Sequence, residues 1–467
     1  MTSTLDGVFL RKVWRRLRDS QVPIVSQEIY SDADNVAKEL SRSIKEHLFL
    51  PSTIHGYLGI QKGGGVTRFL PILTAEDMGV YYYLCYRLAP KILEKQTGIF
   101  GAWHMQPLIR DCTTKEIEAE AFGQGYWQNP FSSKWWLREW RQFNDLIREL
   151  LNDRSVGKFV VATDVANFYD SIEVPRLIGK VRQVAHEDND TVEALNAFLS
   201  SWNRRHIGYM PSTKGIPQEI ISDASRVLSH FYLQQLDVEF NYYCKSRNLT
   251  YIRWSDDILV FGGSKLMLEK AVHHLSRLMR DIGLNLNAAK TRYMSKTELK
   301  RYRALDFLSA VSEDDNQKLS KEIKIIKSWI SSGRDFRIDT VFRALIGFLS
   351  RNQAAQTSIN RAFIADIGEH NRDLLHSLNN TQLLRYIQIS DDPIATFHNL
   401  RNDICKAQFG GPKASYLHML RKYRNQLSAI GMTKPKAISA IYQIEKSSDD
   451  SEVIRDFCVP AVREQYS

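Results

Sequence analysis

The chain has 467 residues, long enough for about three domains, and its 43% hydrophobic and 25% charged residues are the proportions of an ordinary globular protein. No apolar run approaches the ~20 residues that span a bilayer, and the arginine-rich start lacks a signal-peptide centre, so the expected compartment is the cytoplasm, with no membrane partner. With 63 basic against 53 acidic residues the formal charge is +10, which favours a polyanionic partner, and five scattered cysteines without a C-x-x-C pair argue against a zinc site or a disulfide framework.

Residues 1 to 50 read as helices. A basic amphipathic one lies near 8 to 19, with Arg11, Lys12, Arg15, Arg16 and Arg18 around Trp14, and a second runs through Asp32 to Leu40. The basic cluster reads as a solvated helix face, with RNA contact as the alternative. Residues 57 to 74 read as a hairpin turning on Lys62-Gly63-Gly64-Gly65 and returning through Arg68. Accessible glycine amides between two cations suit a phosphate. A helical run from Val80 to Pro90 carries four tyrosines, most of them expected in the core. Five tryptophans follow, Trp103, Trp127, Trp135, Trp136 and Trp140, and the helical spacing of the last two favours packing over base stacking.

The next strand-like run, from Gly157, ends its apolar stretch at Asp164. Gly215-Ile216-Pro217-Gln218 forms a shaped loop before a helix from Ser222 to Phe240 that carries Ser225, Arg226 and Asp237. The run from Tyr251 to Gly262 then reads as a hairpin with Asp256 and Asp257 at its tip. Adjacent carboxylates repel and call for a cation, usually a divalent metal held by carboxylate oxygens. With Asp164 on an adjacent strand, the three would make a two-metal phosphoryl-transfer site. An amphipathic helix from Ser264 to Gly283 leads to Gly283-Leu284-Asn285-Leu286-Asn287 and Lys290-Thr291. From 320 onward the chain reads as almost entirely helical, with Asp and Asn punctuation at 378–380 and 391–393. Lys413, Arg421, Lys422, Arg424, Lys434 and Lys436, interleaved with Tyr416 and Tyr423, give that part a basic section.

The ordered series of strand-Asp164, Phe168-Tyr169-Asp170-Ser171-Ile172, Gly215 to Gln218, the Asp256-Asp257 hairpin, and Gly283 to Thr291 resembles motifs A to D of reverse transcriptases, over about residues 55 to 310. That resemblance implies an α+β right-hand polymerase of fingers, a palm with an antiparallel sheet, and a thumb, followed by an α-helical C-terminal extension. Its expected segments are 1–50 (N-terminal helices), 51–310 (fingers and palm), 311–380 (thumb) and 381–467 (basic extension). Asp164, Asp256 and Asp257 would be the catalytic metal ligands, joined by the Val165 carbonyl, with Mg²⁺ the expected ion and Mn²⁺ the alternative. Lys62 and Arg68 would clamp the incoming triphosphate. Tyr169 would stand against its sugar and exclude a 2′-hydroxyl, leaving Asp170 structural. Gln218 would face the base pair and Lys290 would donate a proton to pyrophosphate. Arg303 to Ala310 falls where the family has a primer-grip strand.

Glu219 after Gln218, Arg226 after Ser225, and Trp254-Ser255 before the aspartates depart from the common pattern. The first two departures resemble the bacterial abortive-infection and defence-associated enzymes, related to those of group II introns and retrons. The implied function is RNA-directed DNA synthesis from dNTPs, copying a dedicated structured noncoding RNA in antiphage defence, with an RNA template, a DNA product and an oligomer among the expected associations. RNA contacts are expected from Arg421, Lys422 and Arg424. The rival readings are an untemplated or protein-primed DNA polymerase and an inactive RNA-binding scaffold.

Overall fold

A computed structural model describes residues 5–62, 66–101, 134–204, 212–218, 223–449 and 451–466, with the side chains of 134–138 also outside the description. Gly63 to Gly65, Trp103, Trp127, Glu219 and the side chains of Trp135 and Trp136 therefore lie outside the described residues. The chain divides into two compact units, one of residues 1–18, 25–55 and 73–297 and the other of 19–24, 56–72 and 298–467. Compactness thus cuts across the sequential segments expected above.

The first unit is built on a five-stranded sheet among the described residues. Its strands are β3 (Ile99–Phe100), β4 (Phe159–Asp164), β5 (Thr250–Trp254), β6 (Asp257–Gly262) and β7 (Arg292–Ser295), in the order β3-β5-β6-β4-β7. Only the short β3 runs parallel to its neighbour, and the other pairings are antiparallel, as expected for the palm. Ile258, Leu259, Val260 and Phe261 of the central β6 are all buried, the mark of a strand covered on both faces. Helices Asp223–Lys245 and Lys265–Asp281 pack on these strands. The Ala75–Ile92 helix packs on the first of them and buries Tyr81, Tyr82 and Tyr83.

At the N-terminus, helix Gly7–Arg18 buries Leu10, Val13, Trp14 and Leu17, one helical stripe, and Trp14 donates its indole N–H to the Ala75 carbonyl at 2.7 Å. Its arginines are engaged within the unit. Arg16 pairs with the buried Asp223, Arg11 with Asp34 at 2.7 Å, and Arg18 with Gln27 at 3.1 Å. The cluster keeps the solvated face expected from its charge, with Lys12 and Arg15 exposed, and adds one internal tie through Arg16.

In the second unit, β1 (Gly56–Gln61) and β2 (Thr67–Ile72) form the expected hairpin, with Ile60 opposite Arg68. β1 packs on helix Gly410–Lys422, where a Cβ on Gly411 would stand 2.8 Å from Ile60 Cγ2. The helical punctuation is realised as caps. Asn379 forms a capping box with Gln382, and Asp392 accepts from the Ala395 amide ahead of Pro393. One expectation fails. The stretch Arg303–Ala310 is a helix over Leu305–Ser312, entered through Ala304 at φ +49°, and not a strand. Leu305, Phe307 and Ala310 are buried on it, and it packs on helix Asn316–Ser331. A short apolar run has no periodicity that separates strand from helix, so tertiary packing decides.

Candidate active site

Ladder register brings two of the three expected carboxylates face to face. β4 ends where β6 begins, and Asp164 is the cross-strand partner of Asp257. Asp256 is one residue earlier, in the two-residue turn Ser255-Asp256 between β5 and β6. Such opposed positions stand about 4.5–5.5 Å apart at Cβ, close enough for like charges to oppose each other. The Asp164 carboxylate is buried, one oxygen paired with the Lys290 ammonium and the other, Oδ1, without a hydrogen-bond partner. Asp256 is crowded by protein atoms although part of its surface reaches solvent. Burial, then the charges of Asp257 and Asp164, push its carboxyl up to about 6 against the opposing effect of Lys290.

Among the described residues, no group of three or more His, Cys, Asp or Glu stands preassembled as a metal cage. A magnesium-type site needs none, because it uses one or two carboxylates and completes its shell with water and substrate phosphates. An orphaned buried carboxylate oxygen beside two further carboxylates fits such an ion. Val165 has a suitable place as well. It bridges Leu286 in a position whose flanking bonds, Asn287 N–H to the Asp164 carbonyl and Ala166 N–H to the Asn285 carbonyl, both 2.8 Å, bypass it. Lys290, in the turn Ala288–Lys290, is an ion partner of Asp164 here, where the sequence offered only a proton donor.

Tyr169 and Gln218 meet through backbone. Ile216 donates to the Tyr169 carbonyl at 3.0 Å, Gly215 to the Ile172 carbonyl at 2.8 Å, and Val174 to the Thr213 carbonyl at 3.0 Å. Gly215 adopts φ +86°, a left-handed backbone that suits glycine, beside the Tyr169-Asp170 backbone. Two residues after Gly215, the Pro217 carbonyl accepts from the buried Ser225 hydroxyl, which lies 2.8 Å from the Tyr81 hydroxyl. The segment holding Tyr169 and the loop holding Gln218 therefore form one cluster. Asp170 is exposed. Lys62 and Arg68 sit on the hairpin of the second unit, where the Lys62 amide closes the turn by donating to the Val66 carbonyl at 2.8 Å.

Sequence reasoning missed what stands behind the aspartate turn. Arg253 and Asp237 are fully buried and paired, and Tyr251 donates its hydroxyl to Asp237 Oδ1 at 2.6 Å. Burial opposes the charge on Arg253, but Asp237 outweighs it and holds the guanidinium protonated. The signal was present as one arginine inside the apolar run Tyr251-Ile252-Arg253-Trp254. Trp254 itself packs edge-on against Trp140 at 5.0 Å and beside Phe143 at 5.7 Å, so Trp140 does serve packing.

The C-terminal basic section is part exposed and part engaged within its own unit, with Lys422, Arg424 and Lys434 exposed. Lys413 is buried with its ammonium on the Ser447 carbonyl. Arg421 donates to the Ser20 carbonyl and to His418 Nδ1, both at 3.0 Å. Burial first, then Arg421 and Lys422, hold His418 down to about 3, so it stays a neutral acceptor. Arg424 donates to the Gln465 carbonyl and lies over the Tyr466 ring. Lys422 is exposed, 5.8 Å from the Tyr423 ring centre.

The family profile described as "Reverse transcriptase (RNA-dependent DNA polymerase)" matches residues 120–325, somewhat under half of the chain and inclusive of Asp164, Gln218, Asp256, Asp257 and Lys290. That segment is similar to the reverse transcriptase family. No curated protein matches the chain. Among solved structures 213 chains match, one of them the BmCPV RNA-dependent RNA polymerase seen in situ at the elongation state. It is 12% identical with a TM-score of 0.35, and the match covers 62% of this chain but 26% of that one, so the chain spans about a quarter of that polymerase.

Proposed function

We propose that the chain is an RNA-directed DNA polymerase whose active site is the Asp164, Asp256 and Asp257 constellation, working with Mg²⁺. The observation that carries this reading is the register pairing of Asp164 with Asp257, beside an unsatisfied buried carboxylate oxygen, inside the segment similar to the reverse transcriptase family. Asp164, Asp257 and Asp256 would hold the divalent ions, with the Val165 carbonyl beside them. When bound, such ions lower the pKa of a primer hydroxyl and neutralise charge on the leaving pyrophosphate.

The chain's own groups do the rest. Lys290 neutralises Asp164 in the resting protein, and its ammonium would turn to departing phosphates once that carboxylate is otherwise paired. Tyr169, fixed by its carbonyl bond to Ile216, supplies bulk against a ribose 2′-hydroxyl. Gln218, held by the Ser225 clamp on Pro217, offers both a donor and an acceptor to a base pair. Lys62 and Arg68 supply cations for a triphosphate.

The template is a dedicated structured noncoding RNA, and the setting is bacterial antiphage defence. The Gln218-Glu219 and Ser225-Arg226 variants and the net charge of +10 support this finer reading. Sequencing the nucleic acid that copurifies with the protein tests it. One discrete RNA and DNA complementary to it are expected, and random cellular RNA without matching DNA would reject it.

A further inference from the structure

Resting on the polymerase reading, we infer that Arg253 is a positioning residue: locked to Asp237, it holds the Ser255 carbonyl so that the turn presents Asp256 and Asp257 to the cation. The strain is local. Ser255 adopts φ +53°, a region that favours glycine, at the first position of the two-residue turn. Both of its backbone groups are held. Its N–H donates to the Phe100 carbonyl at 3.1 Å, and its carbonyl accepts from Arg253 Nη1 at 2.6 Å. The same guanidinium uses its other edge on Asp237, with Nε to Oδ1 at 2.8 Å and Nη2 to Oδ2. Tyr251 fills a further acceptor position of Asp237, and the Arg253 amide donates to the Gly98 carbonyl at 2.9 Å.

Stability alone does not require this arrangement, since a buried ion pair is often no better than a well-packed apolar replacement. What a guanidinium adds is direction, two edges in a rigid plane, one for a carboxylate and one for a carbonyl. A lysine's three donors radiate from one nitrogen, so it cannot reproduce the bidentate carboxylate grip while also holding the carbonyl. Asp237 in turn belongs to helix Asp223–Lys245, which also carries Ser225 and its clamp on the Pro217 carbonyl. The two residues are 12 positions apart, about 18 Å along the axis. One helix therefore fixes both the Gln218 loop and the aspartate turn.

The test uses the full chain with Arg253→Lys, Ser255→Gly and the double variant. Affinity for Mn²⁺ alone is read by electron paramagnetic resonance, the Mg²⁺ dependence by DNA synthesis, and folding by thermal melting. Arg253→Lys is expected to weaken Mn²⁺ binding and raise half-saturating Mg²⁺ by about 10-fold or more, the scale of lost support behind metal ligands, with primer–template affinity within about twofold of wild type. Adding Ser255→Gly is expected to recover about threefold or more, because glycine holds positive φ without the clamp. Unchanged Mn²⁺ affinity, or a loss that follows melting temperature with no recovery from the glycine, overturns the proposal. If Arg253→Lys does not fold, Tyr251→Phe, which removes one bond to Asp237, carries the test, with a Mg²⁺ shift of about twofold expected and none overturning it. Should the wild-type protein make no DNA while Arg253→Lys still weakens Mn²⁺ binding, the polymerase reading falls and the positioning role stands.

Discussion

The carboxylates at 164, 256 and 257 and the cations between 413 and 436 are both concentrations of like charge, and the fold treats them in opposite ways. The carboxylates are short side chains fixed by strand register and a tight turn, so repulsion persists. Asp256 is pushed up to about 6 and one Asp164 oxygen is left orphaned. The cations have long stems that reach backbone carbonyls at Ser447, Ser20 and Gln465, and much of their charge serves the fold. Long flexible cations can be tied up by the fold, whereas carboxylates forced together by strand register, with one buried Asp164 oxygen left over, point more directly to a ligand.

The comparison breaks most visibly at Asp257. Asp257→Ala is expected to lower deoxynucleotide incorporation by about 10³-fold or more with the melting temperature little changed, and a variant with near wild-type rate removes the metal role. Next in size is sugar choice. Tyr169→Ala should reduce discrimination against ribonucleotides by about 10- to 100-fold in competition assays, the range open to steric exclusion. If the wild-type protein already uses both sugars equally, Asp170 must be reconsidered.

On the cationic side, Arg421→Glu should cost about 2–3 kcal/mol in denaturant melts, because it strands the Ser20 carbonyl and His418. Lys422→Glu should leave the melt alone and lower the salt slope of RNA binding by about 0.7 if it contacts a phosphate. Equal melts for the two variants would erase the distinction drawn between them. The smallest effect is a pH dependence. Asp256 has a folded pKa above its unfolded value, so the native state binds the extra proton, and stability falls as pH rises from about 4 through 6. Asp256→Asn, melted in chelator, should thus gain about 1–3 kcal/mol at pH 8 and nothing near pH 4, while abolishing synthesis. A constant gain across that range would show that ionisation is not its source.

Much of the site was legible because its chemistry is local to motifs. The aspartate hairpin, the strand ending at Asp164 and the Gly215 loop are written in consecutive residues. What was illegible depends on distant partners. Arg253 finds Asp237 on a helix 16 residues earlier, and Arg421 finds Ser20 about 400 residues away. No periodicity encodes such meetings. The Leu305–Ser312 helix was misread for a related reason, since its apolar residues satisfy either pattern until the Asn316–Ser331 helix offers a surface. Among the N-terminal arginines, Arg16 likewise finds its partner far off in sequence, at the buried Asp223.

Primer extension with the purified chain tests the central claim most directly. A defined RNA template, an annealed DNA primer, four dNTPs and Mg²⁺ are supplied, and the product is sequenced alongside that of Asp257→Ala. DNA complementary to the template from the wild type, and none from the variant, is the predicted result. Product whose sequence ignores the template, or synthesis that survives the loss of Asp257, would contradict it.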